Sequence, residues 1–299
     1  MPSILDSLND AAPALWLEVS PPRGINPGPL LRRLAELVGH VDAINLTDNA
    51  LGKVKMSALI FAAAIKGRLK IPVVLNLSCR DRNRFALKSD LLGAAALGIE
   101  AVVALNGDKI PPGAGGVPIA SHDIDAYRLL AMIADLNRGD TGEGRPILAK
   151  PPSIVAGAVA NPNRKNPERE FELLARKAAA GARFVITQPV FDAGTARRFI
   201  AKANSLGIKT MLGILPVKRE AMATYLIDRV KDLSGARIHL DRFSGMSEEQ
   251  VREISLRENM ALMKSLAGEA AGFVVMSGGG PSLAIELALE FSRWRKGDR

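Results

Sequence analysis

Short β-rich apolar runs alternate along the chain with segments of helical periodicity, and polar or Gly/Pro turns separate them. Eight runs stand out: ALWLEV from Ala14, VDAINL from Val41, PVVLNLS from Pro72, AVVALN from Ala101, IVAGAV from Ile154, RFVITQ from Arg183, KTMLGIL from Lys209 and GFVVMS from Gly272. Five of the seven start-to-start intervals are 26 to 31 residues, about what a strand, a crossover helix and two loops occupy in a parallel βαβ unit. The other two, 53 and 63 residues, read as one long loop after Asp108 and one extra helical stretch between Val217 and Ala270. The pattern predicts a single (β/α)8 TIM barrel over residues 1–299, with insertions after strands 4 and 7. A doubly wound open sheet is the second choice, weakened because no G-x-G-x-x-G follows the first strand.

Helix punctuation agrees with this frame. Asn166 before Pro167 is a start signal, Glu168 and Glu170 sit where the helix dipole favours anions, and Gly181 closes the segment. Ser89 and Asp90 before LLGAAALG read as a second start, with small residues for close packing.

Composition narrows the partners more than the fold. Apolar residues at 47% and charged residues at 24% exclude a disordered or collagen-like chain. The formal charge of +9 favours anionic ligands. Nine Phe, two Tyr and two Trp, scattered, supply no stacking platform for nucleic acid, and the basic run Arg293–Arg299 reads as a solvated tail. One cysteine, Cys79, excludes an internal disulfide and a thiolate metal cluster. No run of apolar residues reaches membrane-spanning length and the first ten residues lack a leader pattern, so a cytoplasmic protein is expected. His40, His122 and His239 lack metal-ligand spacing, and no Ser-His-Asp or P-loop pattern occurs, so no metal site is expected.

In such a barrel the chemistry lies at the C-terminal strand ends. Glu18 stands in an apolar strand before Pro21 and Pro22, where desolvation would raise its pKa and suit it to general acid work; a strand-end ion pair with an arginine is the competing reading. Strand 2 ends in Asn45, Thr47 and Asp48, strand 3 in Asn76 and Ser78, and strand 4 in Asn106, Gly107 and Asp108. Asp108 is either functional or a turn-former. Gln188, ending strand 6, has an amide suited to a planar heterocycle. The run Met276–Ser282 (MSGGGPS) is either an anion site at a helix N-terminus or a simple turn, and GAGG from Gly113 to Gly116 reads as a mobile loop. Catalysis must then rest on carboxylates and a bound cofactor, which suits hydride or one-carbon chemistry.

Seven ordered blocks, LEVSPP (17–22), LSCRDRN (77–83), SDLLGAAALGI (89–99), ALNGD (104–108), GAVANPN (157–163), ITQPVFD (186–192) and GILPV (213–217), together resemble the methylenetetrahydrofolate reductase family. The resemblance implies FAD at the strand ends and a ping-pong cycle in which NAD(P)H and folate take turns at the flavin. It carries the family's general acid onto Glu18, its flavin- and pterin-facing aspartate onto Asp108 and its pterin-binding glutamine onto Gln188. Glu220 takes a place where an aromatic usually covers the folate or nicotinamide. For the flavin it implies Thr47, Asn76, Leu105, Asn106, Gly107, Asp108 and Asn161, with Glu170 and Lys177 on one helix face toward ribose and phosphates. The family's best-known bacterial members carry His at Asn76, Arg at Asn106, Tyr near Gly157 and His at Asn161. These departures leave FAD, FMN and a flavin-free form open, as well as a paralogue oxidising methyltetrahydrofolate. A pterin-binding methyltransferase-like barrel and a non-catalytic folate-binding subunit are the alternatives of another class. Barrel reductases are commonly oligomeric, so a homo-oligomer is expected.

Overall fold

The structure is a computed structural model and describes residues 3–108, 124–142, 144, 150–229, 237–278 and 280–297. Eight parallel strands close into a barrel in chain order: β1 (Ala14–Val19), β2 (Ala43–Leu46), β3 (Val73–Ser78), β4 (Ala101–Leu105), β5 (Val155–Ala160), β6 (Phe184–Pro189), β7 (Lys209–Ile214) and β8 (Gly272–Val275). Each observed strand falls within two residues of its apolar run, because parallel strands covered on both faces are apolar almost throughout.

Helices surround the sheet: α1 (Ile4–Asn9), α2 (Gly28–Leu34), α3 (Ala58–Leu69), α4 (Arg84–Ala96), α5 (Ala126–Asn137), α6 (Pro167–Ala179), α7 (Ala193–Ser205), α8 (Glu220–Arg229), α9 (Arg237–Leu240), α10 (Glu248–Leu266) and α11 (Ser282–Lys296). No described helix is long and apolar enough to cross a membrane. The extra helical stretch expected between β7 and β8 is α8, α9 and α10. They close a separate apolar cluster of Leu215, Val217, Leu226, Leu240, Phe243 and Val251 over the end of β7. Ser255 of α10 anchors this layer, its Oγ accepting from the Val217 amide at 2.7 Å.

The barrel interior is a packed core rather than a channel. Trp16 and Phe184 meet edge to face with centroids 5.5 Å apart, among Ala43, Val74, Val103, Ile186, Met211 and Val274. Gly157 lies against Phe184 so closely that an added Cβ would fall 2.3 Å from the ring. Ile4 and Leu8 of α1 join this cluster from below, closing the N-terminal end.

Helix starts follow side-chain capping. Asn166 accepts from the Arg169 amide at 3.1 Å and Pro167 takes the first helical position, as the sequence predicts. The second start differs: α4 begins at Arg84, capped by Asn83, whose Oδ1 accepts from the Ala86 amide at 3.0 Å. Ser89 and Asp90 are therefore interior to α4, and Asp90 pairs with Arg82 at 2.8 Å instead of capping. The small residues of that run serve helix contact, since a Cβ at Gly93 would touch Leu59 of α3 at 3.4 Å.

Candidate active site at the barrel mouth

Alternation along β1 sets the site. Trp16 lies in the inner core, so Glu18, two residues on, faces the barrel axis one layer nearer the C-terminal mouth. In register beside it stands Asn45 of β2. Asn45 Nδ2 donates to Glu18 Oε2 at 3.4 Å, while Asn45 Oδ1 accepts from Asn76 Nδ2 of β3 at 2.9 Å. The other Asn76 proton goes to the Leu46 carbonyl at 2.6 Å. Glu18 is half-buried, whereas Asn45 and Asn76 are buried. Burial pushes the Glu18 carboxyl up from 4.5 to about 7; the Asn45 hydrogen bond opposes the rise and the charge of Asp108 adds to it. A carboxyl titrating near neutrality at a barrel mouth can hold a proton and give it up.

Asp108 sits on the exposed loop after β4. Its Oδ2 accepts from the Leu51 amide at 2.6 Å and its carbonyl from Arg80 Nη1 at 2.8 Å. Gly107 makes the turn at φ +87°, and a Cβ there would strike Ser78 Oγ at 2.3 Å and Arg80 Cβ at 2.7 Å. Only glycine fits that turn. Arg80 also bonds Asp81 at 2.5 Å and the Asn49 carbonyl at 3.4 Å, lacing the loops after β2, β3 and β4 together. Beneath them buried Asp48 accepts from the Ser78 amide at 2.9 Å and from Arg82 at 2.5 Å.

Gln188 is half-buried at the end of β6, where the register slips between Ile186 and Pro189. The Thr187 hydroxyl takes over there, accepting from the Gly213 amide at 2.9 Å. Such irregularities re-aim side chains at sheet rims. The Gln188 amide makes no hydrogen bond among the described residues, so its donors and acceptor are available to a ligand.

The residues that the family resemblance implies for a flavin have internal partners. Thr47 Oγ1 shares a 2.8 Å hydrogen bond with Ser20 Oγ. Asn106 Oδ1 accepts from the Ala126 amide at 2.8 Å, holding the start of α5. Leu105 is half-buried with its side chain against the inner core. Buried Glu170 accepts from the Asn161 amide at 2.9 Å and from Arg164 at 2.7 Å, and Asn161 Oδ1 accepts from the Asn163 amide at 3.0 Å. Lys177 donates to the Val159 carbonyl at 2.7 Å, and burial lowers its pKa against the attraction of Glu170. Both side chains of that helix face thus hold the end of β5. Glu220 opens α8 and accepts from Ser244 Oγ at 3.2 Å.

Among the described residues no group of three His, Cys, Asp or Glu could hold a metal ion. His40 meets Ser292 at 3.3 Å, and His239 stacks on Phe191 with centroids 6.2 Å apart. Cys79 is buried, its thiol pushed up to about 12 chiefly by burial, and is inert. Lys218 donates to the Gly280 carbonyl and Arg33 to Ser282 Oγ at 2.6 Å, so cations hold Gly280 and the first residue of α11. His122, the GAGG loop and Gly279 lie outside the described residues.

A family model for methylenetetrahydrofolate reductase matches residues 3–275. The chain belongs to this family. A probable methylenetetrahydrofolate reductase (NADPH) of Caenorhabditis elegans is 29% identical over 228 residues, covering 73% of this chain and 32% of that protein. The 5,10-methylenetetrahydrofolate reductases of Salmonella typhimurium and Escherichia coli are each 28% identical, covering 63% and 66% of this chain and 66% and 62% of theirs. The matched region thus spans about a third of the nematode protein and just under two thirds of the bacterial ones. Among solved structures, a Clostridium thermocellum protein that binds two copies of 5-methyl-5,6,7,8-tetrahydrofolic acid superposes with a TM-score of 0.62 at 14% identity, covering 98% of this chain and all of that one. EDTA monooxygenase from Chelativorans gives 0.58 at 15%, covering 95% and 94%. At such identities these two speak for the barrel alone.

Asn45, bonded to Glu18, is the residue beside that carboxyl that the sequence did not single out beyond its strand-end position. Its signal was present, since a polar residue in an otherwise apolar buried strand needs a partner.

Proposed function

We propose that the chain reduces 5,10-methylenetetrahydrofolate to 5-methyltetrahydrofolate with NAD(P)H, Glu18 acting as the general acid. The observation that carries this reading is a carboxyl set at the barrel mouth and held on one oxygen by Asn45, which burial pushes up to about 7, in a chain of this family. In the protonated form Glu18 gives its proton to N10 as the N10–methylene bond breaks. The methylene is left as an iminium on N5, and a hydride ultimately from NAD(P)H converts it to the methyl group. The proton from Glu18 stays on N10, so the acid recovers one from water each cycle. Gln188, whose amide makes no hydrogen bond among the described residues, would read the pterin edge, and the charge of Asp108 adds to the burial that keeps Glu18 protonated near neutrality.

Of the residues implied for a flavin, half-buried Leu105 would give the ring an apolar wall at the mouth, while Thr47, Asn106 and Asn161 would meet it only beside the bonds they already make. A bound flavin would supply hydride relay between the two substrates. Lys177 would have to share its bond to the Val159 carbonyl in order to meet a flavin phosphate, and Glu170 its bonds to the Asn161 amide and Arg164 in order to meet a ribose hydroxyl. A visible spectrum with flavin bands, or uptake of added FAD or FMN at stoichiometric ratio, supports the flavin; a colourless protein that takes up neither contradicts it. NAD(P)H oxidation strictly dependent on methylenetetrahydrofolate supports the reaction itself. Its absence with both nicotinamides and with flavin supplied contradicts it.

A further inference from the structure

We infer that Asn45 is a positioning residue for Glu18: its amide, held donor-first by Asn76, anchors one carboxyl oxygen and leaves the other facing the mouth to carry the transferable proton. This rests on the reading of Glu18 as the acid.

The orientation follows from counting protons. Asn76 Nδ2 has two, one donated to the Leu46 carbonyl at 2.6 Å and one to Asn45 Oδ1 at 2.9 Å. A backbone carbonyl can only accept, so the Asn76 amide has a fixed sense, and Asn45 must present oxygen to it. The Asn45 Nδ2 donors then point at Glu18 Oε2, 3.4 Å away. Glu18 Oε1 has no protein partner among the described residues. Asn45 and Asn76 are buried, so water cannot easily substitute for either bond, and a flipped amide would set two acceptors face to face. The consequence is an asymmetric carboxyl, with Oε2 fixed and Oε1 free to bear the proton.

The groups facing Glu18 limit what else could set its protonation. β2 contributes Asn45 and no ionisable group, because Asp48 is turned to the Ser78 amide and Arg82. The charge that reaches Glu18 is Asp108, from the loop after β4. Asn45 favours the carboxylate while burial and Asp108 favour the acid, so the amide and the loop work in opposite directions on one proton.

The test titrates the Glu18 carboxyl by infrared spectroscopy in the unliganded full chain, with Glu18→Gln used to assign the band. Asn45→Val replaces the donor by a strand-favouring side chain and should move the midpoint upward from about 7 by roughly half to one pH unit, the worth of one modest hydrogen bond. Asn76→Leu removes the donor that fixes the Asn45 oxygen without adding a charge, so the Asn45 amide is free to turn away from Glu18. The midpoint should rise in the same direction, and by less when Asn45→Val is already present. A midpoint unmoved by Asn45→Val, or an Asn76→Leu shift of the same size in both backgrounds, overturns the proposal. If Asn45→Val does not fold, Asn76→Leu alone decides, because an unmoved midpoint there is equally fatal. Shifts as expected, with folate turnover intact in Glu18→Gln, would support the positioning role and remove the acid reading, so the two fail separately.

Discussion

Glu18 should make the fold less stable as pH rises, and Glu18→Gln should relieve that. In the unfolded chain the carboxyl titrates near 4.5, and in the fold near 7. Between these values the folded chain keeps a proton that the unfolded chain has lost. The Glu18 contribution to stability is therefore highest below 4.5, falls through the window and levels off above 7. A separation of two to three pH units at about 1.4 kcal/mol each makes the fall on the order of 3 kcal/mol. The amide introduced by Glu18→Gln keeps the shape and can still accept from Asn45, but never ionises. The variant should match the wild type at pH 4.5 and exceed it by up to about 3 kcal/mol at pH 8.5, roughly 1 M in urea midpoint. Paired urea titrations at the two pH values measure this directly. A wild-type-to-variant difference that is the same at both would refute the claim that burial holds the proton on Glu18.

Asp108→Asn removes the charge that helps keep Glu18 protonated, so the Glu18 titration and any activity limb that follows it should move to lower pH, opposite in sign to Asn45→Val. Gly157→Ala would set a Cβ 2.3 Å from the Phe184 ring, which also packs edge to face on Trp16. A loss of about 1–3 kcal/mol in thermal or denaturant unfolding is expected. Asp48→Ala would take the side-chain partner from the Ser78 amide and one of two carboxylates from Arg82, which keeps Asp90, and should cost about 1–3 kcal/mol, read in the same unfolding assay.

The barrel was legible because its cause is local: strands covered on both faces are apolar runs, and their spacing is that of βαβ units. The positions of Glu18, Asp108 and Gln188 at strand ends were legible one run at a time, since each lies at or within two residues of the end of its apolar run. What joins them was not. That Asn45 and Asn76 share hydrogen bonds depends on the register of three strands and on which carbonyl lies within reach, neither of which spacing encodes. The seven-residue separation of Glu170 and Lys177 correctly put them on one helix face. That this face meets the Asn161 amide and the Val159 carbonyl is a tertiary fact. Likewise Ser89 and Asp90 look like a helix start, and only the Arg82 contact explains an aspartate in mid-helix. The slip in β6 beside Gln188 has no mark in the sequence, because the Thr187 hydroxyl replaces a ladder contact that any strand would be expected to make.

The central claim is that Glu18 delivers a proton to bound folate, and comparing Glu18→Gln with wild type in one preparation tests it most directly. Equilibrium binding of 5-methyltetrahydrofolate should stay within a few-fold, while NAD(P)H-driven reduction of methylenetetrahydrofolate at pH 7 should fall by about 10² to 10⁴, the range expected for loss of a general acid. Turnover preserved alongside intact binding would contradict the account.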